Sequence, residues 1–240
     1  MTWGNVSGID RQKGLVVIKP SGIDFENMTD KDMIVVDLHF GKVQSGKHNP
    51  SSDTATHLEL YRSFPEIRGI VHTHSRWATI FAQTEHDIIP LGTTHGDCFY
   101  GTIPCTRPLT AKEISSNYEL ETGKVIVETF KDKNPNEIPA VLVARHAPFI
   151  WGTSPLDAIY NAVALEEIAL MAWNSQLIEP LIVPIPKELM DKTWGVINSS
   201  SFPQHPFTPT LTPHFSLHNP YPIALLSPRK PACHPIHPKP

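Results

Sequence analysis

Cysteine is scarce. Cys98, Cys105 and Cys233 form an odd count with no C-x-x-C pair among 240 residues, which excludes a disulfide framework or a zinc ribbon as the organising device. Long apolar runs are missing too: the longest, residues 168–173, has six members, where a membrane-spanning helix needs roughly 20. The opening Met1-Thr2-Trp3-Gly4-Asn5 lacks the charged and apolar regions of a secretory signal. Positive charge is not in excess, since 20 Lys and Arg face 24 Asp and Glu for a net charge of −4. No surface is thereby advertised for nucleic acid. No internal repeat in the range of roughly 20–50 residues is visible either. These absences lead to the expectation of a soluble, reduced, cytoplasmic protein with no nucleic-acid or membrane partner.

Proline, by contrast, is abundant and unevenly placed. Eleven of the 24 fall in residues 193–240, together with five of the 13 histidines, three basic residues and no Asp or Glu. That density removes too many backbone donors for a sheet or a long helix. The expectation is a folded domain over 1–192 and an extended, disordered Pro/His-rich tail over 193–240.

The body reads as short strands interleaved with helices. Apolar, β-branched runs at 15–19, 33–38, 69–74 and 140–144 predict strands, the first ending at the turn Pro20-Ser21-Gly22. Ser51-Ser52-Asp53 supplies capping residues before a helix over 54–64, with Leu58, Tyr61 and Phe64 on one face. Ser154-Pro155 opens the clearest helix, with proline at its first position and Asp157 completing a variant capping box. Its apolar stripe runs to Trp173, and its end is expected near Asn174. The mixture predicts an α/β or α+β layered domain around a buried sheet.

Chemistry-bearing residues cluster in a few segments. In a strand, residues i and i+2 share a face, so His72-Thr73-His74 would project two imidazoles together, workable for two ligands on one metal. The same pair also suits a half-exposed surface strand. Asp53 sits at a predicted helix start, where a carboxylate is stabilised by the dipole and can bind metal. His146 is expected at the end of the strand over 140–144, as a further ligand or as a loop residue. Two or three histidines with one carboxylate make a plausible zinc or manganese set.

A second group suits an anion. Lys19-Pro20-Ser21-Gly22 forms a strand-turn, Ser51-Ser52 precedes a helix N-terminus, and Asn5 adds an amide donor; such positions also occur as plain turn chemistry. Asp97, in the loop-like segment Thr93-Thr94-His95-Gly96-Asp97-Cys98, is either a solvated turn residue or a general acid or base.

Six motifs occur in order: Trp3-Gly4-Asn5-Val6-Ser7-Gly8, Lys19-Pro20-Ser21-Gly22, Pro50-Ser51-Ser52-Asp53-Thr54, His72-Thr73-His74, Thr93-Thr94-His95-Gly96-Asp97 and Tyr118-Glu119-Leu120-Glu121-Thr122-Gly123. Together they resemble the L-ribulose-5-phosphate 4-epimerases of the class II aldolase/adducin superfamily, over about residues 2–192. The resemblance implies a three-layer α/β/α sandwich assembling as a homotetramer with active sites between subunits. It implies Zn2+, or another divalent metal such as Mn2+, on His72, His74 and His146, with Asp53 as fourth ligand or close neighbour. Gly4, Asn5, Lys19, Ser21, Gly22, Ser51 and Ser52 would hold the phosphate of a pentulose phosphate, and Asp97 would be one of two proton-transfer residues.

The implied reaction is retro-aldol cleavage of C3–C4 in L-ribulose 5-phosphate, rotation of the aldehyde and re-addition to give D-xylulose 5-phosphate. A metal on the C2 carbonyl and C3 hydroxyl would act as Lewis acid. Related aldolases carry Ser-Ser-Glu where this chain has Ser-Ser-Asp, which favours the epimerase; a sugar-phosphate aldolase and a non-catalytic member are the alternatives. Family members also carry an N-terminal helix before the Thr-Trp-Gly-Asn segment and a tyrosine-bearing C-terminus. Against that pattern the catalytic domain reads as N-terminally truncated, with residues 193–240 outside the family and the second proton-transfer residue missing.

Overall fold

The computed structural model describes residues 4–197. From residue 198 onward, the expected Pro/His-rich tail lies outside the described residues. In chain order the elements are β1 (Asn5–Asp10), β2 (Leu15–Ile18), β3 (Ile34–Asp37), β4 (Val43–Ser45), α1 (Thr54–Ser63), β5 (Gly69–His72) and α2 (Arg76–Gln83). There follow α3 (Thr93–Cys98), α4 (Ala111–Ser115), α5 (Tyr118–Thr129), β6 (Ala140–Leu142), β7 (Pro148–Gly152), α6 (Pro155–Ile178) and α7 (Lys187–Ile197). The seven strands form one sheet in the order β4-β3-β2-β1-β5-β7-β6, every neighbouring pair antiparallel.

Helices cover both faces of the sheet, and strand register decides which side chain meets which layer. Ser7, Ile70 and Trp151 lie abreast on β1, β5 and β7. They face α1 and α5: the Trp151 ring lies 5.4 Å from Phe64 and 5.1 Å from Phe130, at the ends of those helices. One residue along, Gly8, Gly69 and Gly152 also lie abreast, and the side-chain period of two turns them to the opposite face. There the first turn of α6 settles onto them. A Cβ at Gly69 would lie 2.5 Å from both Cα and N of Pro155, and one at Gly152 only 2.7 Å from the Ala158 nitrogen. The resulting α/β/α sandwich agrees with the expected fold.

Side chains from distant segments satisfy the helix ends. Arg11 donates to the carbonyls of Tyr61, Phe64 and Ile67, closing the C-terminal end of α1. The Glu166 carboxylate on α6 accepts from the Trp77 and Ala78 amides, placing negative charge at the positive end of α2. The long helix α6 continues to Ile178, four residues past the expected end, because nothing breaks it before Pro180, which holds Glu179 in an extended conformation. Among the described residues no helix is long and apolar enough to cross a membrane.

The glycine row yields a stability prediction. Gly69→Ala forces a methyl group into backbone that cannot yield and should cost at least about 1–3 kcal/mol. Gly195→Ala on α7, where a Cβ meets nothing among the described residues within 4 Å, should instead stabilise by about 0.5–1 kcal/mol. Urea midpoints of the two variants against the wild type check both signs.

Candidate metal centre

The first histidine is delivered by β5. His72 ends the strand, abreast of Asn5 on β1 and Phe149 on β7. Its ring stacks on Phe149 with centroids 4.2 Å apart. Nδ1 of His72 donates to the Pro148 carbonyl at 2.9 Å. A carbonyl can only accept, so this bond puts the proton on Nδ1 and leaves Nε2 with its lone pair, the form a metal takes.

His74 reaches the same place by a different route from the one its spacing predicts. The strand stops at His72, and the chain turns through Thr73 and Ser75 into α2. The side chains still converge, with the two Nε2 atoms 3.2 Å apart. His146 is likewise not at a strand end: β6 stops at Leu142, and His146 lies in the turn to β7. Its ring centroid is 4.9 Å from that of His72 and 5.0 Å from that of His74. One nitrogen from each of the three falls within 4.8 Å of the others.

Asp53 caps α1 without a side-chain bond to the helix. Its Oδ2 instead accepts from Asn5 Nδ2 at 2.6 Å and lies 4.0 Å from His72 Nε2. Asn5 also donates to Ser51 Oγ at 3.1 Å. Gly4 makes this approach feasible: its φ is +83°, and a Cβ there would lie 2.6 Å from the His72 carbonyl oxygen.

The donor set fits a divalent cation. A tetrahedral zinc with Zn–N distances of about 2.0–2.1 Å holds its ligand nitrogens about 3.3 Å apart, close to the spacing of His72 and His74. His146 Nδ1 and Asn5 Oδ1 are buried polar atoms that no group among the described residues satisfies. Burial holds the His72 pKa down to about 3, and the neighbouring His146 and His74 act in the same direction. His146 is lowered too, by burial and then by His74. Burial thus favours the neutral form of His72 and His146, the form metal binding requires.

The anion-suited residues gather beside this centre. Lys19-Pro20-Ser21 runs alongside Asn49-Pro50-Ser51, joined by Ser21 N to Asn49 O at 2.9 Å, Ser51 N to Lys19 O at 3.1 Å and a Pro20–Pro50 bridge. Ser21, Gly22 and Ser52 are not buried, while Ser51 and Lys19 are. The Lys19 amine donates to the Pro20 carbonyl and sits 4.8 Å from the Phe25 ring centroid, and burial lowers its pKa.

Asp97 stands apart. The segment expected as a loop is the short helix α3, packed chiefly on α7 and α6, and the electrostatic neighbours of Asp97 are Cys98 and Tyr160. Burial raises its pKa. Two residues to which the sequence assigned no role lie close to the histidines. Tyr118, at the start of α5, has its ring 6.3 Å from His146, and burial raises its pKa. His57, one helical turn beyond Asp53, is fully buried, with Nδ1 2.7 Å from Ser7 Oγ, which in turn meets Tyr61 OH at 2.8 Å. The i+4 spacing from Asp53 was the available signal for His57.

These buried imidazoles predict acid sensitivity. Burial holds His57 and His72 to about 3 and His95 to about 4, against 6.5 when unfolded. Between those values the unfolded chain binds protons that the folded chain does not. Stability of the metal-free protein is therefore complete above pH 6.5 and is lost as pH falls toward 4, by about 1.4 kcal/mol per pH unit for each fully linked proton. The urea midpoint should drop steeply from about pH 6.5 to about pH 4; a flat profile would show that these rings are not buried neutral.

Known proteins share this fold. Residues 1–173 match the model of the family described as Class II Aldolase and Adducin N-terminal domain. An L-fuculose 1-phosphate aldolase structure is 26% identical, with TM-score 0.69 over 82% of this chain and 87% of that one. The L-fuculose 1-phosphate aldolase from Glaciozyma antarctica shares the fold at 20% identity and TM-score 0.63, covering 81% of this chain and 72% of that one. The enzyme of the same name from Thermus thermophilus does so at 23% identity and TM-score 0.58, covering 77% and 88%. With the family match spanning most of its length and a three-histidine cluster gathered at the end of β5, the chain belongs to the class II aldolase and adducin family.

Proposed function

We propose that this chain is a divalent-metal-dependent enzyme that breaks and remakes a carbon–carbon bond of a phosphorylated ketose, interconverting L-ribulose 5-phosphate and D-xylulose 5-phosphate. The observation that carries the reading is the convergence of His72, His74 and His146, with the Asp53 carboxylate 4.0 Å from His72. A zinc or similar cation held by these residues would supply Lewis-acid polarisation of the substrate's carbonyl.

The chain's own residues do the rest. Lys19, Ser21, Gly22, Ser51 and Ser52, with Gly4 and Asn5 at their edge, hold the phosphate beside the α1 N-terminus. Breaking C3–C4 leaves the electron pair on the three-carbon fragment as an enolate and gives glycolaldehyde phosphate. Phosphate anchoring keeps that aldehyde in place while it rotates, so its other face is attacked before it escapes. Asp97 takes the proton from the C4 hydroxyl on one face as the bond breaks, and after re-addition on the other face the C4 alkoxide takes a proton from water. Asp97 keeps company with Cys98 and Tyr160 rather than the histidines, which supports its serving the site of a neighbouring copy in the homotetramer that the family resemblance implies.

A sugar-phosphate aldolase is the second reading, favoured by the 26% identity to an L-fuculose 1-phosphate aldolase. The Ser-Ser-Asp segment weighs against it, since related aldolases carry Ser-Ser-Glu where this chain has the shorter Asp53. Zinc-loaded protein given L-ribulose 5-phosphate should form D-xylulose 5-phosphate. Accumulation of glycolaldehyde phosphate and dihydroxyacetone supports the aldolase, and absence of both overturns the pair. Asp97→Asn should lower kcat by about 10²–10⁴-fold. Co-assembly of Asp97→Asn chains with His74→Ala chains should restore part of the activity, because some mixed sites carry both intact residues. No recovery would place Asp97 outside the neighbouring site.

A further inference from the structure

We infer that Arg145 and Glu85 form a latch that positions His146 for metal binding; the inference rests on the metal reading above. Among the described residues, Glu85 and Arg145 are the non-glycine residues with left-handed backbone, at φ 59° and 61°. Such a conformation is unfavourable for a residue with a Cβ and persists only where surrounding structure enforces it. The two are held to each other. Arg145 Nε meets Glu85 Oε1 at 2.5 Å, and both backbone amides donate to the Ala82 carbonyl at the end of α2, at 2.8 Å for Arg145 and 3.2 Å for Glu85.

The position of this latch relates two ligands. His74 lies immediately before Ser75, the N-cap of α2, while the other end of α2 grips Arg145, the residue before His146. One rigid helix thus sits between the approach to His74 and the turn that carries His146. Within that turn Val143 N donates to Ala147 O at 3.1 Å, His146 N to Val143 O at 3.0 Å and Ala144 N to Thr106 Oγ1 at 3.0 Å. The left-handed step at Arg145 lets the Arg145 side chain stay in solvent while the His146 ring turns in toward His72 and His74. A need for stability does not account for the arrangement. The Arg145 side chain is 74% exposed, and ion pairs this open contribute little to folding. What the latch does set is the direction of the third imidazole.

The test uses the full chain and Zn2+ alone, with affinity read by competition against a chromophoric chelator. Co2+ absorption reports coordination geometry. Arg145→Gly accepts the left-handed backbone freely but frees the turn. Its metal-free urea midpoint should match or exceed that of the wild type, while its zinc Kd rises about tenfold, as loss of a partner supporting a ligand does. Its Co2+ spectrum should also weaken. Glu85→Asn tolerates the same backbone and is too short to reach Arg145; it should weaken zinc in the same direction. Arg145→Lys, which restores the charge, should recover most of the affinity. Wild-type Kd in both Arg145→Gly and Glu85→Asn overturns the latch, whatever their midpoints do. If Arg145→Gly does not fold, Glu85→Asn decides alone. A wild-type chain that takes up no zinc overturns the metal reading, and the latch with it.

Discussion

The register in which β1, β5 and β7 pair is the constraint on which the rest depends. It puts Asn5, His72 and Phe149 in one row, Ser7, Ile70 and Trp151 in the next row on the same face, and Gly8, Gly69 and Gly152 on the other. A slip of one residue exchanges the faces of a whole strand. In β5 it would turn the His72 imidazole toward α6 and aim a bulky side chain where the first turn of α6 needs glycine. The packing of the helical layer and the aim of the ligand are thus consequences of one pairing. Trp151 against Phe64 and Phe130 holds the far end of that face closed.

Most of the centre was legible in the sequence because its residue types are chemically costly elsewhere. Two histidines at i and i+2, an aspartate at a helix start and a histidine before Ala-Pro can be read without coordinates, and the structure brings all four together. The physical cause of the convergence differs in part from the one the spacing suggests. His74 lies beyond the strand, so its approach to His72 comes from the turn at Thr73, not from strand periodicity. β1 and β7 could not be read: Asn5–Asp10 contains glycine and serine where propensity asks for branched residues, and Pro148–Gly152 opens with proline. Both are strands because their neighbours demand it. The helix around Asp97 was hidden for the same reason. Gly96 and two threonines predict a loop, whereas packing against α7 makes a helix of it.

The electrostatics of the centre couple binding to stability. Neutral imidazoles at His72 and His146 are the form that takes a metal, and burial enforces that form. The same burial makes the metal-free fold vulnerable to protons. A cation bound only by the folded chain adds RT ln(1 + [L]/Kd) to its stability and occupies lone pairs that protons would otherwise take as pH falls. Behind the ligands, the chain from His57 through Ser7 to Tyr61 joins α1 to β1 with hydrogen bonds inside the core. Asp53 therefore rides on a helix fixed to the strand that carries Asn5.

Asp97 belongs to a separately supported part of the chain, and its support reaches further than the domain limit expected at residue 192. A Cβ at Gly96 would lie 2.3 Å from Thr193 Oγ1, so α3 and α7 touch through the absence of a side chain next to Asp97. Tyr100, just past α3, bonds Asp191 and Lys187 and packs its ring on Trp194. Asp191, Thr193 and Trp194 thus stand astride the expected limit. A chain cut at 192 would keep every histidine of the metal centre but lose Thr193 and Trp194, which brace the helix bearing Asp97. If Asp97 moves the proton in a neighbouring copy, α7 belongs to the catalytic unit through that bracing, although its supporting contacts lie with α3 and not with the metal ligands.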